Sequence, residues 1–294
     1  LSIEEVDKIT GEPLAWPNTG SYRLLDLVGL DTSVKVTKGV IDNCPDDEFV
    51  KIIKNKPVHK ATQFLLDNNY LGDKSGQGFY KKTDQRDEKG GRVILALDLN
   101  TLEYKPTQKV MIPVVGIAKK VEIMDKRLKE MMASDENSGH FVRDLICGII
   151  AYASNRIPEI SDNIYSIDNA MKAGYAWTYG PFEFWDMIGI AEGAAIAKNL
   201  GEVIPVWVEQ MIKDGVTSFY KIEDGKRKYY DLDSKSYKVI PGTELNIHLD
   251  NYRTVTPVYK NSECTIHDIG DGVLCFEFTS KSNAIGEGIG QGAL

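Results

Sequence analysis

Cysteine is scarce in this sequence, and its placement excludes several common kinds of site. The four cysteines of the 294 residues are Cys44, Cys147, Cys264 and Cys275, and none lies in a Cys-x-x-Cys pair. A disulfide framework needs many cysteines in a short secreted chain, and zinc or redox motifs need paired ones. The sequence therefore predicts free thiols in a reducing, cytoplasmic setting.

Basic charge and long apolar runs are lacking as well. The formal net charge is −8, so no overall positive potential attracts nucleic acid or an anionic membrane. No stretch approaches the roughly 18–20 consecutive apolar residues that span a bilayer, and the opening LSIEEVDKIT lacks the regions of a signal peptide. With 42% hydrophobic and 27% charged residues, the composition is that of a soluble globular protein, long enough for two domains. We therefore expect neither nucleic acid nor a membrane as a partner.

Motifs that hold cofactors or metals are missing too. The glycine-rich run GEGIGQG at 286–292 is not placed between a strand and a helix, so it does not predict a dinucleotide-binding loop. The histidines show none of the spacings that build a metal site, and we expect each on the surface or at a helix cap; they are His59, His140, His248 and His267. The sequence thus predicts no metal ligand, no catalytic residue and no cofactor-binding residue in this chain.

Two blocks of the sequence resemble each other. The first comprises residues 3–9 and 15–30, and the second comprises 165–171 and 176–190. The matched pairs are Asp7 with Asp168, Trp16 with Trp177, Gly20 with Gly180, Tyr22 with Phe182, Asp26 with Asp186 and Gly29 with Gly189. A second echo follows each block, as GFYKK at 78–82 and SFYKI at 218–222. Such self-similarity indicates two copies of one structural unit, each helical first and then hairpin-like.

Helix ends in both blocks carry recognisable signals. Ser2 and Glu5 have the spacing of a capping box, in which each side chain accepts a hydrogen bond from a free backbone N–H group. Gly29 and Gly189 each follow a short aromatic block, where glycine readily forms a C-cap. We therefore expect a helix from residue 3 and a short helix before each of the two glycines.

Two longer segments have helical periodicity. Residues 141–155, FVRDLICGIIAYASN, repeat apolar side chains at helical spacing and are closed by Pro158. Residues 117–134 predict a single charged amphipathic helix, followed by a loop at 134–139. We expect this helix and loop to connect the two units, and we expect Cys147 to be a small core residue of the long helix.

β-Structure is predicted as short hairpins. Strand-like residues at 92–97 and 102–105, and again at 227–232 and 236–240, lie on either side of turn sequences. Near the end of the chain, alternating apolar residues flank the turn at 270–272, which contains the Asp-Gly signal of a hairpin. The glycine-rich sequence after that hairpin predicts a flexible tail.

Acidic and aromatic residues that recur in both blocks leave alternatives open. Asp7, Asp26, Asp168 and Asp186 are candidates for chemistry, but an aspartate in such a block usually hydrogen-bonds to nearby backbone N–H groups. The aromatic clusters form either core or an interface between the units, or else an acyl pocket. Their members are Trp16, Tyr22, Tyr175, Trp177, Phe182 and Trp185.

The repeated blocks resemble a known family. Residues 17–32, PNTGSYRLLDLVGLDT, and 179–190, YGPFEFWDMIGI, are similar to the signature of the C-terminal domain of (S)-3-hydroxyacyl-CoA dehydrogenases. The segment IEEVDKITGEPLAWP resembles the helix that precedes this signature. Residues 266–286, IHDIGDGVLCFEFTSKSNAIG, resemble the opening strands of an enoyl-CoA hydratase of the crotonase fold. This order is similar to that of fused β-oxidation proteins with the dehydrogenase first.

The resemblance implies a fold and an organisation. The fold would be mainly α, with two tandem helical repeats of this C-terminal type, each followed by a short β-hairpin, and a truncated β segment at the C-terminus. Residues 1–116 would form a first unit without its first helix, 117–139 a connector, 140–245 a second unit, and 246–294 the start of a hydratase-like domain. The chain is therefore expected to begin in mid-protein.

The resemblance also implies a function. The parent protein would be an oxidoreductase of fatty acid β-oxidation that oxidises (S)-3-hydroxyacyl-CoA with NAD, as a homo-oligomer such as a dimer. Its NAD-binding Rossmann domain, with a catalytic His–Glu pair, would lie upstream, so this chain alone would be inactive. Asn155 matches the family's substrate-holding asparagine, and Lys281, Asn283 and Ala284 match an element near CoA in hydratases. These four are the expected substrate-binding residues, with acyl-CoA as the ligand.

Two other interpretations stay open. One is a non-catalytic tandem helical interaction module, in which the aromatic clusters are simply core. The other is an intact small-ligand enzyme of a different type, which would require perturbed acids or bases gathered in a cleft. Because strands built for a larger sheet leave exposed edges, we also expect residues 262–294 to be disordered, swapped or paired with another chain.

Overall fold

The computed structural model describes residues 1–107, 111–253 and 255–294. Helices dominate, which confirms the predicted mainly α fold, and the strands among the described residues form small antiparallel sheets of three strands each. The chain divides into two compact units. The first comprises Leu1–Ile150 and Ala170–Ile188, and the second comprises Ala151–Asn169 and Gly189–Leu294.

The first unit opens with short helices and a sheet. The helices are α1 (Ile3–Ile9), α2 (Ser21–Val28), α3 (Leu30–Asn43), α4 (Glu48–Ile53) and α5 (Lys60–Asp67). The strands are β1 (Tyr80–Arg86), β2 (Arg92–Leu97) and β3 (Tyr104–Pro106), which pair in chain order. Leu97 lies opposite Tyr104, so the predicted hairpin at 92–97 and 102–105 is confirmed as β2 and β3.

Local capping fixes the ends of the first helices. The Ser2 hydroxyl accepts a hydrogen bond from the N–H of Glu5, whose carboxylate accepts one from the N–H of Ser2 at 2.7 Å. The predicted capping box is therefore confirmed. Gly29 ends α2 and precedes α3 with φ +94°, a conformation that residues with a side chain rarely adopt. The predicted C-cap glycine thus allows one helix to follow another directly.

The core of the first unit lies where the helices meet the sheet. Its buried cluster consists of Ile3, Leu30, Ala61, Leu65, Phe79, Ala96 and Leu97. Fully burying one large aliphatic or aromatic side chain contributes roughly 1.5–3 kcal/mol. This cluster therefore fixes α1, α3 and α5 against β2, and it holds the start of β1 close to α1 and α2.

The predicted single helix over 117–134 is wrong. Two helices occupy this region, α6 (Pro113–Lys120) and α7 (Met124–Ala133). The backbone at Val121 and Ile123 is extended, as suits β-branched residues, and it interrupts the helix. Arg127 stabilises the break, because its Nε donates to the Val121 carbonyl at 2.8 Å, a group that a continuous helix would have used itself.

Three more helices follow, α8 (Asn137–Asn155), α9 (Ile164–Tyr175) and α10 (Pro181–Ile188). The predicted helix 141–155 lies within α8, which begins four residues earlier and shortens the predicted loop at 134–139. The earlier start follows from Gly139, whose missing side chain lets the helix approach the Ser134 carbonyl. Cys147 is fully buried, as expected. Within the first unit, α10 packs against α7.

The second unit continues with two helices and a sheet. The helices are α11 (Ile190–Asn199) and α12 (Val206–Lys213), and the strands are β4 (Tyr220–Glu223), β5 (Lys226–Asp231) and β6 (Ser236–Val239). Gly189 follows α10 directly, as predicted for a glycine that ends a short helix, and it precedes α11 with φ +103°. Tyr230 lies opposite Tyr237, which confirms the predicted hairpin at 227–232 and 236–240. Phe219, just before β4, is fully buried beside the ring of Trp207.

A third sheet and a last helix complete the second unit. They are β7 (Tyr259–Lys260), β8 (Cys264–Asp268), β9 (Leu274–Phe278) and α13 (Glu287–Ala293). Asp271 and Gly272 both have positive φ between β8 and β9, which is the backbone that a tight hairpin turn requires. The predicted Asp-Gly hairpin is therefore confirmed, with Ile266 opposite Phe276.

The predicted flexible tail is wrong, and of the three alternatives expected for residues 262–294, disorder, swapping or pairing with another chain, disorder is wrong as well. The glycine-rich residues form α13, which packs on β8. A side chain at Gly292 would come within 2.4 Å of the Cys264 sulfur, so the missing side chain is what allows the helix to lie close to the strand. Ile289 is buried, and its N–H donates to a Glu263 carboxylate oxygen at 3.1 Å. The glycines thus serve packing rather than flexibility.

Candidate functional site

Asp7 joins three parts of the first unit. It lies on α1, and its carboxylate accepts hydrogen bonds from the N–H groups of Tyr22 and Arg23 at 2.6 and 3.0 Å. The Tyr80 hydroxyl donates to the same carboxylate at 2.7 Å. Asp7 therefore satisfies free N–H groups at the start of α2 and ties that helix to β1.

Asp26 makes a second link between α2 and the sheet. It is 2% exposed, and its carboxylate accepts hydrogen bonds from the N–H groups of Phe79 and Tyr80, each at 2.8 Å. A side chain at Gly78 would come within 2.1 Å of the Asp26 carboxylate, so this glycine makes room for the contact. Asp7 and Asp26 thus bind backbone N–H groups, which confirms the structural interpretation of both.

Burial changes the pKa values of the side chains in this cluster. Removal from water raises the pKa of the Asp7 and Asp26 carboxyls, and the N–H and O–H donors around them oppose that rise. Removal from water, together with the nearby Asp7 carboxylate, raises the pKa of the Tyr80 hydroxyl well above its ordinary value. Tyr80 therefore acts as a hydrogen-bond donor, and the three side chains form a clamp between α1, α2 and β1.

The second unit contains a matching contact. Asp168 is 1% exposed on α9, and it accepts a hydrogen bond from the Tyr220 hydroxyl of β4 at 2.7 Å. The guanidinium of Arg227 lies 4.3 Å from the centre of the Tyr220 ring and holds that ring from the neighbouring strand. Asp168 thus binds a side chain at the start of the sheet, as Asp7 does in the first unit.

A cleft of about 780 Å³ opens beside the Asp7 clamp, entirely within the first unit. Its walls come from α1, the 3-10 helix Glu12–Leu14, the start of α2, β1, β2 and α6. Asp7 and Tyr80 lie in its lining, next to other charged side chains of both signs. These are Glu4, Lys8, Glu12, Arg23, Asp73, Lys82 and Lys119.

One end of the cleft is organised by an ion pair. Two guanidinium nitrogens of Arg23 donate to the two carboxylate oxygens of Asp73 at 2.8 and 2.6 Å. Hydrogen bonding from Arg23 lowers the pKa of the Asp73 carboxyl below its ordinary value. The Lys82 ammonium lies 3.6 Å from the same carboxylate. This end therefore holds two cations around one anion.

The aromatic clusters of the two blocks meet inside the first unit. The rings of Trp16 and Trp177 stack with centroids 4.2 Å apart and planes 11° apart. The ring of Phe184 meets Trp16 edge to face at 6.4 Å and 81°. Aromatic rings prefer such stacked and edge-to-face contacts with one another, so these side chains are already packed. This geometry favours core over an acyl pocket for these side chains.

The four expected substrate-binding residues lie on two different elements. Asn155 is the last residue of α8, and its Nδ2 donates to the carbonyls of Ala151 and Val203 at 2.9 and 2.7 Å. Those bonds tie the end of α8 to the segment before α12. Lys281, Asn283 and Ala284 form an exposed turn before α13, in which Asn283 has φ +53°. The structure therefore brings the last three together in one turn and places Asn155 on a different element.

One histidine differs from its predicted surface or capping role. His59 caps α5, since its Nδ1 accepts a hydrogen bond from the N–H of Ala61 at 3.3 Å. His267, by contrast, is only 5% exposed, because it lies on the inner face of β8 with Glu277 beside it on β9. The two side chains are 2.9 Å apart, and the Arg253 guanidinium pairs with the same carboxylate at 2.8 Å. Cross-strand pairing creates this cluster, which histidine spacing could not reveal.

The described residues do not fit a bound NAD. A dinucleotide site uses a parallel sheet and a glycine-rich turn between a strand and a helix. The sheets of residues 1–107, 111–253 and 255–294 are antiparallel, and GEGIGQG is itself part of α13. Within the same ranges, no His, Cys, Asp and Glu side chains gather in a way that could hold a metal ion. None of the helices there has both the length and the apolar character needed to cross a bilayer.

The first part of the chain is similar to one protein family. Residues 1–82 match the family model described as 3-hydroxyacyl-CoA dehydrogenase, C-terminal domain. That range contains α1, the segment 17–32 that carries the resemblance, both aspartates of the clamp and Tyr80. The family match therefore covers the clamp and the adjoining ion pair of Arg23 with Asp73.

Whole proteins give a consistent picture. A protein of Bacillus subtilis (strain 168) named as a probable 3-hydroxyacyl-CoA dehydrogenase is 36% identical over 288 residues, which are 97% of this chain and 34% of that protein. A protein of Rickettsia felis named as a fatty acid oxidation complex trifunctional enzyme is 26% identical over 290 residues, 98% of this chain and 35% of that protein. The chain thus spans about a third of the length of these curated relatives.

Proposed function

We propose that this chain is the substrate-side and oligomerisation region of a 3-hydroxyacyl-CoA dehydrogenase of fatty acid β-oxidation. The parent protein would oxidise (S)-3-hydroxyacyl-CoA with NAD. NAD would bind to a separate domain, because the described residues of this chain offer no dinucleotide site. The parent would also carry an enoyl-CoA hydratase, and its opening strands would lie at residues 266–286, within the third sheet and the turn after it. This chain alone would be inactive.

The observation that carries the proposal is the clamp. Two segments with the family resemblance meet at β1, since Asp7 of α1 accepts a hydrogen bond from the Tyr80 hydroxyl and Asp26 of α2 accepts one from the Tyr80 N–H. Asp26 and Asp7 are 54 and 73 residues away from Tyr80 in the sequence. If the short motifs resembled the family only by chance, we would not expect residues so far apart to form one hydrogen-bonded unit. The match of residues 1–82 to the family model covers all three side chains of the clamp and supports the same conclusion.

The proposal includes two tandem repeats and their boundaries. The units would be 1–116 and 140–245, joined by 117–139 and followed by 246–294. One contact that occurs in both halves supports the repeat. A tyrosine hydroxyl donates to an aspartate in each half, Tyr80 to Asp7 and Tyr220 to Asp168.

Substrate contacts are proposed for Asn155 and for the turn of Lys281, Asn283 and Ala284. The amide nitrogen of Asn155 already donates to two carbonyls, so a substrate contact would use its Oδ1 atom as an acceptor. The turn is exposed, and Lys281 would offer its ammonium to a CoA phosphate. An acyl-CoA is therefore the proposed ligand of the parent protein, which would act as a cytoplasmic homo-oligomer.

One observation favours a second candidate, a non-catalytic helical interaction module. The stacked Trp16 and Trp177 rings pack as core rather than as the wall of an acyl pocket. In this alternative the chain would have no affinity for acyl-CoA in any context. The two candidates therefore differ in one measurable property.

A binding experiment separates the two candidates. A family Rossmann domain, fused ahead of Leu1, is compared with the same Rossmann domain alone, with acetoacetyl-CoA titrated into each by calorimetry. We expect tighter binding by the fusion, because two walls of a substrate site enclose more of a ligand than one. A fusion to an unrelated helical domain serves as the control. Equal affinity of all three proteins would contradict the dehydrogenase proposal and favour the interaction module.

A further inference from the structure

The two faces of the third sheet differ in their side chains. Cys264 lies on the face that α13 covers, since a side chain at Gly292 would come within 2.4 Å of its sulfur. On the other face, His267 of β8 is directly opposite Cys275 of β9. Glu277 lies two residues beyond Cys275 on the same strand, so it points to the same side of the sheet. A thiol, an imidazole and a carboxylate therefore share one face.

His267 is oriented by its neighbour Glu277. The Nε2 atom of the imidazole is 2.9 Å from a carboxylate oxygen of Glu277, and this hydrogen bond lowers the pKa of the carboxyl below its ordinary value. An ionised carboxylate only accepts hydrogen bonds, so Nε2 carries the proton of the neutral imidazole and the basic lone pair is on Nδ1. Within the described ranges, no protein group hydrogen-bonds to Nδ1 of this side chain, which is only 5% exposed.

The carboxylate is itself held in place. One guanidinium nitrogen of Arg253 donates to Glu277 at 2.8 Å, and the Nε of Arg253 donates to Asp250 at 2.6 Å. Asp250 belongs to the 3-10 helix Leu249–Tyr252, which comes before β7 in the chain. Because Glu277 is fixed from this side, it stays beside Nε2 of His267 and leaves Nδ1 available.

Nδ1 is the imidazole nitrogen that can reach Cys275. It is nearer to the backbone than Nε2, and the Cβ atoms of directly opposite residues are roughly 4.5–5.5 Å apart. Since the cysteine sulfur is bonded to Cβ, rotation about χ1 brings the thiol proton towards Nδ1. A nucleophile next to a base that is oriented by a third group is an arrangement that activates a side chain for covalent chemistry. Here these groups are Cys275, His267 and Glu277.

The exposure of the four cysteines distinguishes Cys275 further. Cys147 and Cys264 are fully buried, whereas Cys44 is exposed at the end of α3. Cys275 is partly exposed, which leaves it accessible to small molecules while the imidazole opposite it stays buried. Cys264 lies on the other face of the sheet, so the two cysteines of this sheet do not point towards each other and cannot form a disulfide there. Any disulfide of Cys275 therefore requires a sulfur from another molecule.

We propose that Cys275 is a modification site, a reactive thiol that forms a mixed disulfide with a small-molecule disulfide. Nδ1 of His267 accepts the thiol proton, and the Cys275 sulfur attacks one sulfur of the disulfide. A bond forms between these two sulfurs, the original sulfur–sulfur bond breaks, and the leaving thiolate takes the proton from His267. Cys275 is oxidised, and the departing half of the reagent is reduced to a thiol. A small thiol reverses the reaction by the same steps.

The test measures the modification of each cysteine in the folded chain. The chain is incubated with glutathione disulfide at neutral pH, the remaining thiols are blocked with N-ethylmaleimide after increasing times, and the modified peptides are quantified by mass spectrometry. We expect Cys275 to react at least about tenfold faster than the more exposed Cys44, because a positioned base typically accelerates a reaction by roughly a hundredfold or more. Cys147 and Cys264 should stay unmodified, since both are fully buried.

Variants of the chain identify the base. His267→Gln removes the imidazole and should slow the modification of Cys275 about tenfold. Glu277→Gln should slow it several-fold, because a neutral amide can donate to Nε2 and no longer fixes the lone pair on Nδ1. The matched control is His248→Gln, the same change at an exposed histidine of the same unit, which should leave the rate unchanged. Modification of the buried Cys264 in any variant would report opening of the sheet.

Two results would overturn the proposal. One is modification of Cys275 in the wild type that is no faster than that of Cys44, and this comparison needs no variant. The other is an unchanged rate at Cys275 in His267→Gln. If His267→Gln opens the sheet, Glu277→Gln takes its place, and an unchanged rate there contradicts the proposal equally. None of these results depends on the dehydrogenase function, which has its own binding test.

Discussion

Replacing Tyr80 with phenylalanine removes one hydrogen bond and leaves the rest of the clamp in place. The hydroxyl donates to the Asp7 carboxylate at 2.7 Å, and a hydrogen bond to a charged group contributes about 1.5–3 kcal/mol to the free energy of unfolding. The carboxylate keeps its N–H donors from Tyr22 and Arg23. We therefore expect Tyr80→Phe to lower the free energy of unfolding by about 2 kcal/mol.

The assay is urea denaturation, followed by circular dichroism. Tyr220→Phe provides a second test in the other unit, since its hydroxyl binds Asp168 at the same distance of 2.7 Å. Tyr175→Phe is the control, because this side chain is 60% exposed and a surface change of this kind usually costs less than about 0.5 kcal/mol. If Tyr80→Phe is no more destabilising than Tyr175→Phe, the clamp does not hold the first unit together.

The same variant has a predicted pH dependence. Burial raises the folded-state pKa of Asp7 above its ordinary value of 3.8, so ionisation of this carboxyl in the folded state costs stability as the pH rises through that interval. The Tyr80 hydroxyl lowers this pKa, and its removal raises the pKa further. The destabilisation by Tyr80→Phe is therefore expected to be larger at neutral pH than below the ordinary pKa of Asp7. An equal loss at both pH values would contradict this reasoning.

Two further predictions concern the last sheet. Gly292→Ala should loosen α13, because the added methyl group would come within 2.4 Å of the Cys264 sulfur. Gly290→Ala adds a methyl group that meets nothing within 4 Å, and it should stabilise the helix by up to about 1 kcal/mol. Limited proteolysis of both variants tests this. A hydrogen bond from His267 lowers the pKa of Glu277, so this carboxylate contributes stability above its ordinary pKa of 4.5 that is lost on acidification. Glu277→Gln should therefore flatten the acid side of the stability curve, and an unchanged acid limb in urea titrations would refute it.

Local signals in the sequence predicted much of the fold. The capping box of Ser2 and Glu5, the glycine at 29 and the Asp-Gly turn at 271–272 each act within a few residues, and the structure contains all of them. Where a prediction depended on several neighbouring preferences at once, it was less accurate. The helix over 117–134 broke at extended β-branched residues, which periodicity alone does not register.

Contacts between residues that are far apart in the sequence could not be predicted from local sequence patterns. The recurrence of Asp7 and Asp26 drew attention to them, but their common partner Tyr80 is identified only when β1 is placed against α2. The charged cleft is a further example, since Lys82 appears in the sequence as part of a short basic run. For the glycine-rich residues at the end of the chain, composition alone predicted flexibility where the structure has a packed helix. Gly292 permits this close packing of α13.

The most direct test of the central claim is turnover. Acetoacetyl-CoA-dependent oxidation of NADH is measured for this chain alone, for a family Rossmann domain alone, and for the two fused with the Rossmann domain ahead of Leu1. The account predicts that the fusion turns over and that neither part does, because in this proposal the chain supplies the substrate side and its described residues form no dinucleotide site. Turnover by the chain alone, or an inert fusion that folds and binds NADH, would contradict it.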